Sequence, residues 1–259
     1  MDVRWEEAGW ERLTGRAGRR RLPVWDCTVG LVVGDESVLL IDPGSCVREG
    51  VGLRAQAERL TGRHVTHIAF THGHFDHVLG GSAFPEADFY GAVGLDTHLA
   101  LDRDGLREDA VRQGLEPAEA AEAARALPLP RHLVSGEWTL ELGGVQVLLA
   151  NVGPGHTRHD LAVFVPDERE VVFCGDLVEE SGEPQAGPDA VPAQWPAALD
   201  RLLSLGGGRR VYVPGHGAVV DAGFVREQRA TLAGRFGVSG RVRAGSLVPS
   251  AGCASTPPI

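Results

Sequence analysis

The stretch Ile68-Ala69-Phe70-Thr71-His72-Gly73-His74-Phe75-Asp76-His77 determines how this chain is interpreted. Its apolar residues complete a strand predicted over 65–71, so the polar residues follow at the end of that strand. Three imidazoles and one carboxylate within six residues bring little apolar surface to a core, and the imidazoles would repel one another if protonated. This density of ligand-type side chains predicts a metal site.

Three more ligand-type residues occur later in the chain in the same local setting. In each case a predicted strand ends, a glycine follows and a histidine or aspartate comes next: Gly155-His156 after 145–152, Gly175-Asp176 after 171–174, and Gly215-His216 after 210–213. Ligands delivered from strand ends are positioned by a rigid scaffold. The sequence therefore predicts one site that contains His72, His74, Asp76, His77, His156, Asp176 and His216.

The residue types at this predicted site indicate which metal it binds. Neutral imidazole and carboxylate favour zinc over calcium or magnesium, and a site without cysteine ligands fits a catalytic centre with an open coordination position. We expect two Zn²⁺ ions, with iron or manganese as alternatives. Two ions about 3.5–4 Å apart can share a water and lower its pKa towards ~7. The resulting bridging hydroxide would attack a carbonyl while one ion stabilises the oxyanion.

The ordered set, His-x-His-x-Asp-His followed by a distant His, an Asp and a His, resembles the metallo-β-lactamase superfamily over about residues 31–219. The resemblance implies an α/β fold, a four-layer αβ/βα sandwich of two mixed β-sheets flanked by helices. It also implies a division of the ligands, with Asp76 and Asp176 as catalytic residues: His72, His74 and His156 for the first metal, Asp76, His77 and His216 for the second, and Asp176 bridging both.

Two residues are expected to support the ligands. Asp42, in Leu40-Ile41-Asp42-Pro43-Gly44, resembles the early aspartate of the family, which orients a ligand histidine and would fix the tautomer of its imidazole. The alternative is an aspartate that only organises the turn before Pro43. Thr71 is assigned the same supporting role. His159 and Asp160 follow the His156 loop but are not expected to touch the site.

The expected activity is hydrolysis of a thioester, ester or lactone of a small molecule. The ligand set is like that of glyoxalase II, but the helical domain that holds glutathione in those enzymes has no counterpart in this sequence. Three alternatives stay open: a β-lactamase, a mononuclear iron oxidoreductase like the persulfide dioxygenases, and a non-catalytic binding module. The substrate pocket is expected to involve Phe75, Leu177, Glu179, Trp195 and a helical insert at about 102–127.

The composition bounds the partners and the compartment. The net charge of -10 argues against a nucleic-acid partner, and the absence of lysine excludes Schiff-base chemistry. Cys27, Cys46, Cys174 and Cys253 include no close pair, which suggests a reducing compartment. No stretch approaches the ~20 apolar residues of a membrane span, and Met1–Glu7 has no apolar signal core. We expect a cytoplasmic protein with no membrane partner.

The remaining patterns predict the elements around the site. Further strands are predicted at 24–33, 37–41, 138–142 and 161–165, and helices at 51–60, 193–205 and 221–236. The Ala-, Glu- and Arg-rich insert at 102–127 predicts one or two helices, closed by Pro128 and Pro130, that cover the metal-bearing edge.

The domain organisation is predicted from the same patterns. We expect a single domain over 1–236 and a flexible tail over 237–259, because the tail has few large apolar residues. The arginine run Arg16 to Arg21 predicts a solvated surface turn.

Overall fold

Two β-sheets form the centre of the structure, and each is built from one continuous half of the chain. The computed structural model describes residues 3–207 and 210–238, and within these residues the first sheet has seven strands. They lie side by side in chain order: β1 (Glu11–Arg12), β2 (Ala17–Arg21), β3 (Thr28–Val33), β4 (Val38–Ile41), β5 (His67–Ala69), β6 (Asp88–Ala92) and β7 (His132–Val134). The pairs from β1 to β4 are antiparallel and those from β4 to β7 are parallel.

The second sheet follows after only Ser135 and Gly136. In the described residues it has five strands, arranged β12-β11-β10-β9-β8: β8 (Glu137–Glu141), β9 (Gln146–Asn151), β10 (Leu161–Val165), β11 (Glu170–Glu179) and β12 (Arg210–His216). All neighbours are antiparallel except β11 and β12, which run parallel. Both sheets are therefore mixed.

Helices cover the outer face of each sheet. They are α1 (Val47–Thr61), α2 (Phe75–Val78), α3 (Leu95–Leu101), α4 (Arg103–Arg112), α5 (Pro117–Ala126), α6 (Trp195–Ser204) and α7 (Ala222–Arg235). Alternate side chains of a strand point to opposite faces. On β4, Leu39 and Ile41 enter the core between the sheets, whereas Leu40 packs into the core that contains Leu53 of α1. On the second sheet, Val172 and Tyr212 pack in a third core with residues of α6 and α7.

Because apolar residues fill three cores between four layers, the arrangement confirms the predicted α/β sandwich of two mixed sheets. No helix in the described ranges combines the length and the apolar character needed to cross a membrane. The domain boundaries stay a prediction, and most of the expected tail, from residue 239 onward, lies outside the described residues.

Two predicted features near the N-terminus are wrong. The strand predicted from Val24 begins only at Thr28, because Val24 and Asp26 have φ of 80° and 59° and form a turn. The arginine run is not a solvated turn but includes strand β2. Arg19 is buried, with an ion pair to Glu11 at 2.7 Å and a hydrogen bond from Nη1 to the carbonyl of Gly217 at 2.9 Å.

The predicted insert forms two helices, α4 and α5. Helix α5 begins as its sequence suggests: Pro117 occupies the first turn, and the carboxylate of Glu116 accepts hydrogen bonds from the backbone N–H groups of residues 118 and 119. Four large apolar residues in the insert and just before it divide into two groups. Leu106 and Leu115 are buried in the core with α1, whereas Leu101 and Val111 are exposed.

Candidate active site

The His-x-His-x-Asp-His motif begins shortly after the end of β5 and ends within the short helix α2. His74 has extended backbone geometry and precedes the helix, so the chain turns sharply there. Asp76 and His77 then lie in the single turn of α2 and are buried, as is His72 in the preceding loop. This change from extended chain to helix brings four polar side chains of a short segment to one side of the sheet edge.

The second sheet supplies the other three residues. His156 lies in the loop after β9, Asp176 lies within β11 and His216 ends β12. The pairing of β11 with β12 shifts register around Gly175, which has φ of 52°. Because the two strands are parallel, both carry their polar residues to the same edge. The structure thus brings together all seven predicted ligand residues, four from one sheet and three from the other.

The seven side chains form two groups that share Asp176. Ligand atoms of His72, His74, His156 and Asp176 lie within 4.8 Å of one another, as do those of His77, His216 and Asp176. Oδ2 of Asp176 lies 3.5 Å from His156 Nε2 and 3.4 Å from His216 Nε2. Asp76 belongs with the second group, because its Oδ2 lies 3.3 Å from His216 Nε2 and 3.5 Å from His77 Nε2.

The ring nitrogens that face away from this centre are held by other groups. His77 Nδ1 lies 2.8 Å from Asp42 Oδ2, and Thr71 donates from its Oγ1 to the same oxygen at 2.6 Å. Thr71 Oγ1 also lies 3.0 Å from His72 Nδ1. Asp42 is buried and has φ of 57°, a conformation that aspartate tolerates better than most residues. Asp42 and Thr71 therefore contact the histidines that are predicted to be ligands.

Backbone carbonyls and a second supporting aspartate complete these contacts. The carbonyl of Trp25 lies 2.9 Å from His216 Nδ1, and that of Gln185 lies 3.1 Å from His156 Nδ1. Asp189 Oδ2 lies 3.2 Å from His74 Nε2. Such contacts fix which nitrogen of each imidazole is free to face the centre.

Comparison with known proteins agrees with this fold and ligand order. The family model described as the metallo-beta-lactamase superfamily matches residues 22–216. The chain belongs to the metallo-beta-lactamase superfamily. Membership places it among metallo-hydrolases, and in this family member a cluster of histidines and aspartates could hold a metal ion.

Similar proteins of the superfamily include enzymes with different names. The hydroxyacylglutathione hydrolase of Pseudomonas aeruginosa is 28% identical over 79% of this chain and 67% of its own length. The metallo-beta-lactamase type 2 of Bacillus cereus is 23% identical over 76% of this chain and 69% of its own length. For the metallo-beta-lactamase type 2 of Bacteroides fragilis, the values are 28% identity, 45% of this chain and 46% of that enzyme. The match thus spans less than half of the last enzyme's length.

Solved structures give the fold of this superfamily member directly. A metallo-beta-lactamase from Pontibacter korlensis superposes with a TM-score of 0.68 at 20% identity, covering 86% of this chain and 97% of that one. The metallo-beta-lactamase FIM-1 from Pseudomonas aeruginosa in its mono-zinc form has a TM-score of 0.65 at 19% identity, with coverage of 92% and 98%. The four-layer sandwich inferred from the motif is therefore confirmed as the metallo-beta-lactamase fold.

Part of the polar cluster of this superfamily member is buried without hydrogen-bond partners. His72 Nε2 and Asp176 Oδ1 are buried without hydrogen-bond partners, and His156 Nε2 lies 3.1 Å from His74 Nδ1. Burial holds the pKa of His72 well below its usual value and lowers the pKa of His156 to about 4, so both rings are neutral. Neutral imidazoles, ionised carboxylates and unpartnered lone pairs that converge on one point fit a bound metal.

The carboxylates and the remaining histidines depend on one another. Burial opposes ionisation of Asp176, but the neighbouring charges, with His77 first, outweigh it and hold the pKa of Asp176 well below its usual value. Burial likewise opposes protonation of His216, and Asp176 and Asp76 overcome it and raise the pKa of His216 to about 12. In the metal-free protein, protons on the histidines of the second group therefore supply the positive charge that metal ions would otherwise provide.

Two adjoining cavities open beside the cluster. The cavity over the ligands has a volume of about 270 Å³, and its wall includes Trp25, Phe75, Asp109 and Gln113 besides the ligand residues themselves. The ring of Trp25 meets Phe75 edge-on at 5.4 Å. The second cavity, of about 350 Å³, shares His74, Asp109 and Gly187 with the first and extends along α4. The insert therefore contributes part of the cavity wall through α4.

The structure brings only Phe75 of the four expected pocket residues to these cavities. Trp195 is fully buried beneath His156, with ring centroids 5.3 Å apart, and its Nε1 donates to the carbonyl of Leu177 at 3.0 Å. Leu177 is also buried. Glu179 borders a different cavity, near Gln228 of α7. Leu177 and Trp195 pack behind the site, because an apolar side chain next to a strand that carries a predicted ligand can face the α6 layer instead of the solvent.

Several residues at the site had no local signal in the sequence. Gln185, Asp189 and Trp25 reach it from irregular segments that are distant along the chain. Cys27 also approaches it, with Sγ 3.3 Å from the carbonyl of Asp76. Asp160 does not touch the seven ligands through its hydrogen bonds, which come from Thr157, and His159 contacts the carbonyl of Val93. An isolated β-bridge pairs residue 27 with residue 216, and Cys27 Sγ also lies 3.8 Å from His77 Nδ1.

Proposed function

We propose that this chain is a hydrolase that binds two zinc ions and cleaves a thioester, ester or lactone of a small molecule. The observation that carries the proposal is the position of Asp176, whose carboxylate belongs to both groups of ligand-type atoms. Two neighbouring cations that share this carboxylate would account for both groups. Similarity to a protein named hydroxyacylglutathione hydrolase supports acyl hydrolysis as the reaction.

Each side chain has a definite part in this proposal. His72, His74 and His156 would hold one ion, Asp76, His77 and His216 the other, and Asp176 both. Bound ions would supply an activated water and a Lewis acid for the carbonyl oxygen. Asp42, Thr71 and the carbonyls behind the rings would keep the imidazoles oriented. Asp76 lies on the cavity wall and would orient the attacking water.

The cavity walls favour neutral or cationic substrates. The cavity over the ligands is lined by aromatic, amide and carboxylate side chains, and among its described lining residues there is no arginine. Arg112 borders the adjoining cavity, but its Nη2 pairs with Asp109 at 2.8 Å. Glutathione conjugates carry carboxylates, and the described lining of this cavity offers no arginine that would pair with them. We therefore propose an uncharged or cationic acyl substrate for this chain.

Metal analysis provides the first test of this function. Purified protein supplemented with zinc should contain close to two zinc ions per chain. Less than one ion per chain would refute the proposal. One iron ion per chain with oxygen uptake would instead support an oxidoreductase like the persulfide dioxygenases.

A substrate screen with a matched variant provides the second test. Thioesters, lactones, aryl esters, phosphodiesters and a β-lactam should be compared on protein of known metal content. Asp176→Ala should lose most activity and weaken the second ion, whereas Asp104→Ala, at an exposed position of α4, should not. If Asp176→Ala keeps both ions and a near-normal kcat, Asp176 does not bridge the ions.

A further inference from the structure

The irregular segment between β11 and α6, residues 180–194, touches two of the proposed ligand histidines from outside. The carbonyl of Gln185 lies 3.1 Å from His156 Nδ1, and the carboxylate of Asp189 lies 3.2 Å from His74 Nε2. The inner nitrogens of the same two rings, His156 Nε2 and His74 Nδ1, lie 3.1 Å apart within the cluster. Each ring is therefore held on its outer side by this segment while its inner nitrogen faces the centre.

The contact made by Asp189 resembles one made on the other side of the site. Asp42 holds His77 at 2.8 Å through the nitrogen that faces away from the centre, and both side chains are completely buried. Asp189 holds His74 in the same way, but 28% of each of these side chains is exposed. A buried ring is confined by its neighbours, whereas a partly exposed ring can rotate. His74 therefore depends more on its single carboxylate partner than His77 does.

We propose that Asp189 is a positioning residue that holds His74 in its metal-binding orientation, an inference that rests on the proposed metal-dependent function. A carboxylate that accepts from the outer N–H of a ligand imidazole fixes its tautomer and makes the inner nitrogen a stronger donor. Removing such a partner typically weakens metal binding by about 10–100-fold. The effect should fall on the first ion, because His74 groups with His72 and His156.

A variant series separates this role from a general effect of charge or of loop folding. Asp189→Ala removes the acceptor, and Asp189→Asn keeps an acceptor oxygen but removes the charge. Glu183→Gln is the matched control, since it removes one negative charge from the same segment at an exposed position that borders a different cavity. Zinc affinity of each metal-free protein should be measured against a chromophoric chelator, and the cobalt-substituted proteins should be compared by their visible spectra.

Wild type and Glu183→Gln should have the highest affinity for the first zinc ion. Asp189→Asn should bind it with intermediate affinity, and Asp189→Ala should bind it about 10–100-fold more weakly than wild type. The cobalt spectrum should change only in the two Asp189 variants, and the Tm of the metal-free proteins should stay the same. Wild-type affinity and spectrum in Asp189→Ala would overturn the inference while leaving the proposed function intact. If metal-free Asp189→Ala instead unfolds at a lower Tm than metal-free wild type, and this loss accounts for its weaker zinc binding, Asp189 has only a structural role. A wild-type protein that binds no zinc would refute both proposals.

Discussion

At Gly215 the backbone passes directly beside the carboxylate that serves both ligand groups. A Cβ at this position would overlap Oδ1 of Asp176, although the φ of Gly215 is not in the left-handed region. The glycine is therefore required by space and not by conformation. We expect Gly215→Ala to displace Asp176 and weaken zinc binding by about 10–100-fold, although it removes no ligand. Zinc titration against a chelator measures this.

The matched control for this change is Gly52→Ala in α1, where a Cβ would meet nothing within 4 Å. This variant should keep its zinc affinity, and its free energy of unfolding should rise by up to about 1 kcal/mol because alanine favours the helix. Unchanged zinc affinity in Gly215→Ala would contradict the position of Asp176 against residue 215.

The buried carboxyl group of Asp160 should make the stability of the folded protein depend on pH, separately from any effect of pH on catalysis. Its Oδ1 accepts from the backbone N–H and the hydroxyl of Thr157 at 2.9 and 2.7 Å, but its Oδ2 is buried without a partner. Burial raises the pKa of Asp160 to about 7, against these hydrogen bonds. In the unfolded chain the pKa is about 3.9, so between the two values the folded state binds more protons and stability falls as pH rises.

Asp160→Asn should remove this loss of stability. Its advantage over wild type in the free energy of unfolding should grow between pH 5 and pH 8, towards an upper bound of about 4 kcal/mol. Urea unfolding of the chelated proteins measures it, with Asp104→Asn as the exposed control. A difference that does not change with pH would show that Asp160 is already ionised in the folded protein.

Among the elements, helix α4 is the one that links the insert to the site. Its buried residues Leu106 and Ala110 pack into the core with α1, while Asp109 and the following Gln113 border the cavity over the ligands. The backbone carbonyl of Gln113 also accepts from Trp25 Nε1 at 3.1 Å. Deleting the insert would expose a core, so point variants on its cavity side are the better probe of substrate access.

We expect Asp109→Ala and Gln113→Ala to change KM by about two- to tenfold, the range for one lost hydrogen bond, with both ions retained. Asp104→Ala on the same helix should leave KM unchanged, because its side chain is 86% exposed. Steady-state kinetics on metal-quantified protein measure this. Unchanged KM for every substrate in both cavity variants would mean that α4 only packs against the sandwich.

The sequence predicted those elements whose residues carry a strong local pattern. Strands β9 to β12 are apolar runs, and three of them, β9, β11 and β12, contain or precede a predicted ligand residue. Both the strands and the convergence of these residues could therefore be inferred. Strand β2 could not be inferred, because its arginines resemble a surface segment. Arg19 is buried only because it pairs with Glu11, and no local pattern predicts that contact. Strands β6 and β7 are short, and their pairing with β5 depends on contacts distant in sequence.

The supporting residues were predictable only where they lie next to a strand end. Asp42 follows β4 directly, and it holds His77. Asp189 and Gln185 lie in an irregular segment whose position is set by the packing of α6 on the second sheet, so no local pattern marks them. The prediction that Trp195 lines the pocket is wrong. Its indole N–H donates to the carbonyl of Leu177, so the ring can be fully buried with its polar group satisfied.

For the whole molecule, the proposed metal centre would join the two sheets. Four of the ligand residues follow β5 in the first sheet, and three belong to strands or loops of the second. On the proposed function, zinc would bind this arrangement only when both sheets are in place, so it should stabilise the folded state by mass action. At a free zinc concentration of 100 Kd the gain is about 2.7 kcal/mol.

For a domain of this size that gain corresponds to a rise in Tm of about 5–10 °C. Thermal unfolding of the chelated protein and the zinc-loaded protein measures it, with magnesium as the control ion because it prefers all-oxygen sites. Equal Tm values in zinc and in chelator would contradict a metal centre that spans the sheets.

The division of the chain into two halves has a consequence for how the protein could be taken apart. A cut between Ser135 and Gly136 would sever neither sheet, since β7 ends at Val134 and β8 begins at Glu137. Each of the two proposed ions would then have ligands on both fragments. Zinc would hold the two fragments together. Reassembly of the separated halves would therefore report metal binding without any knowledge of the substrate.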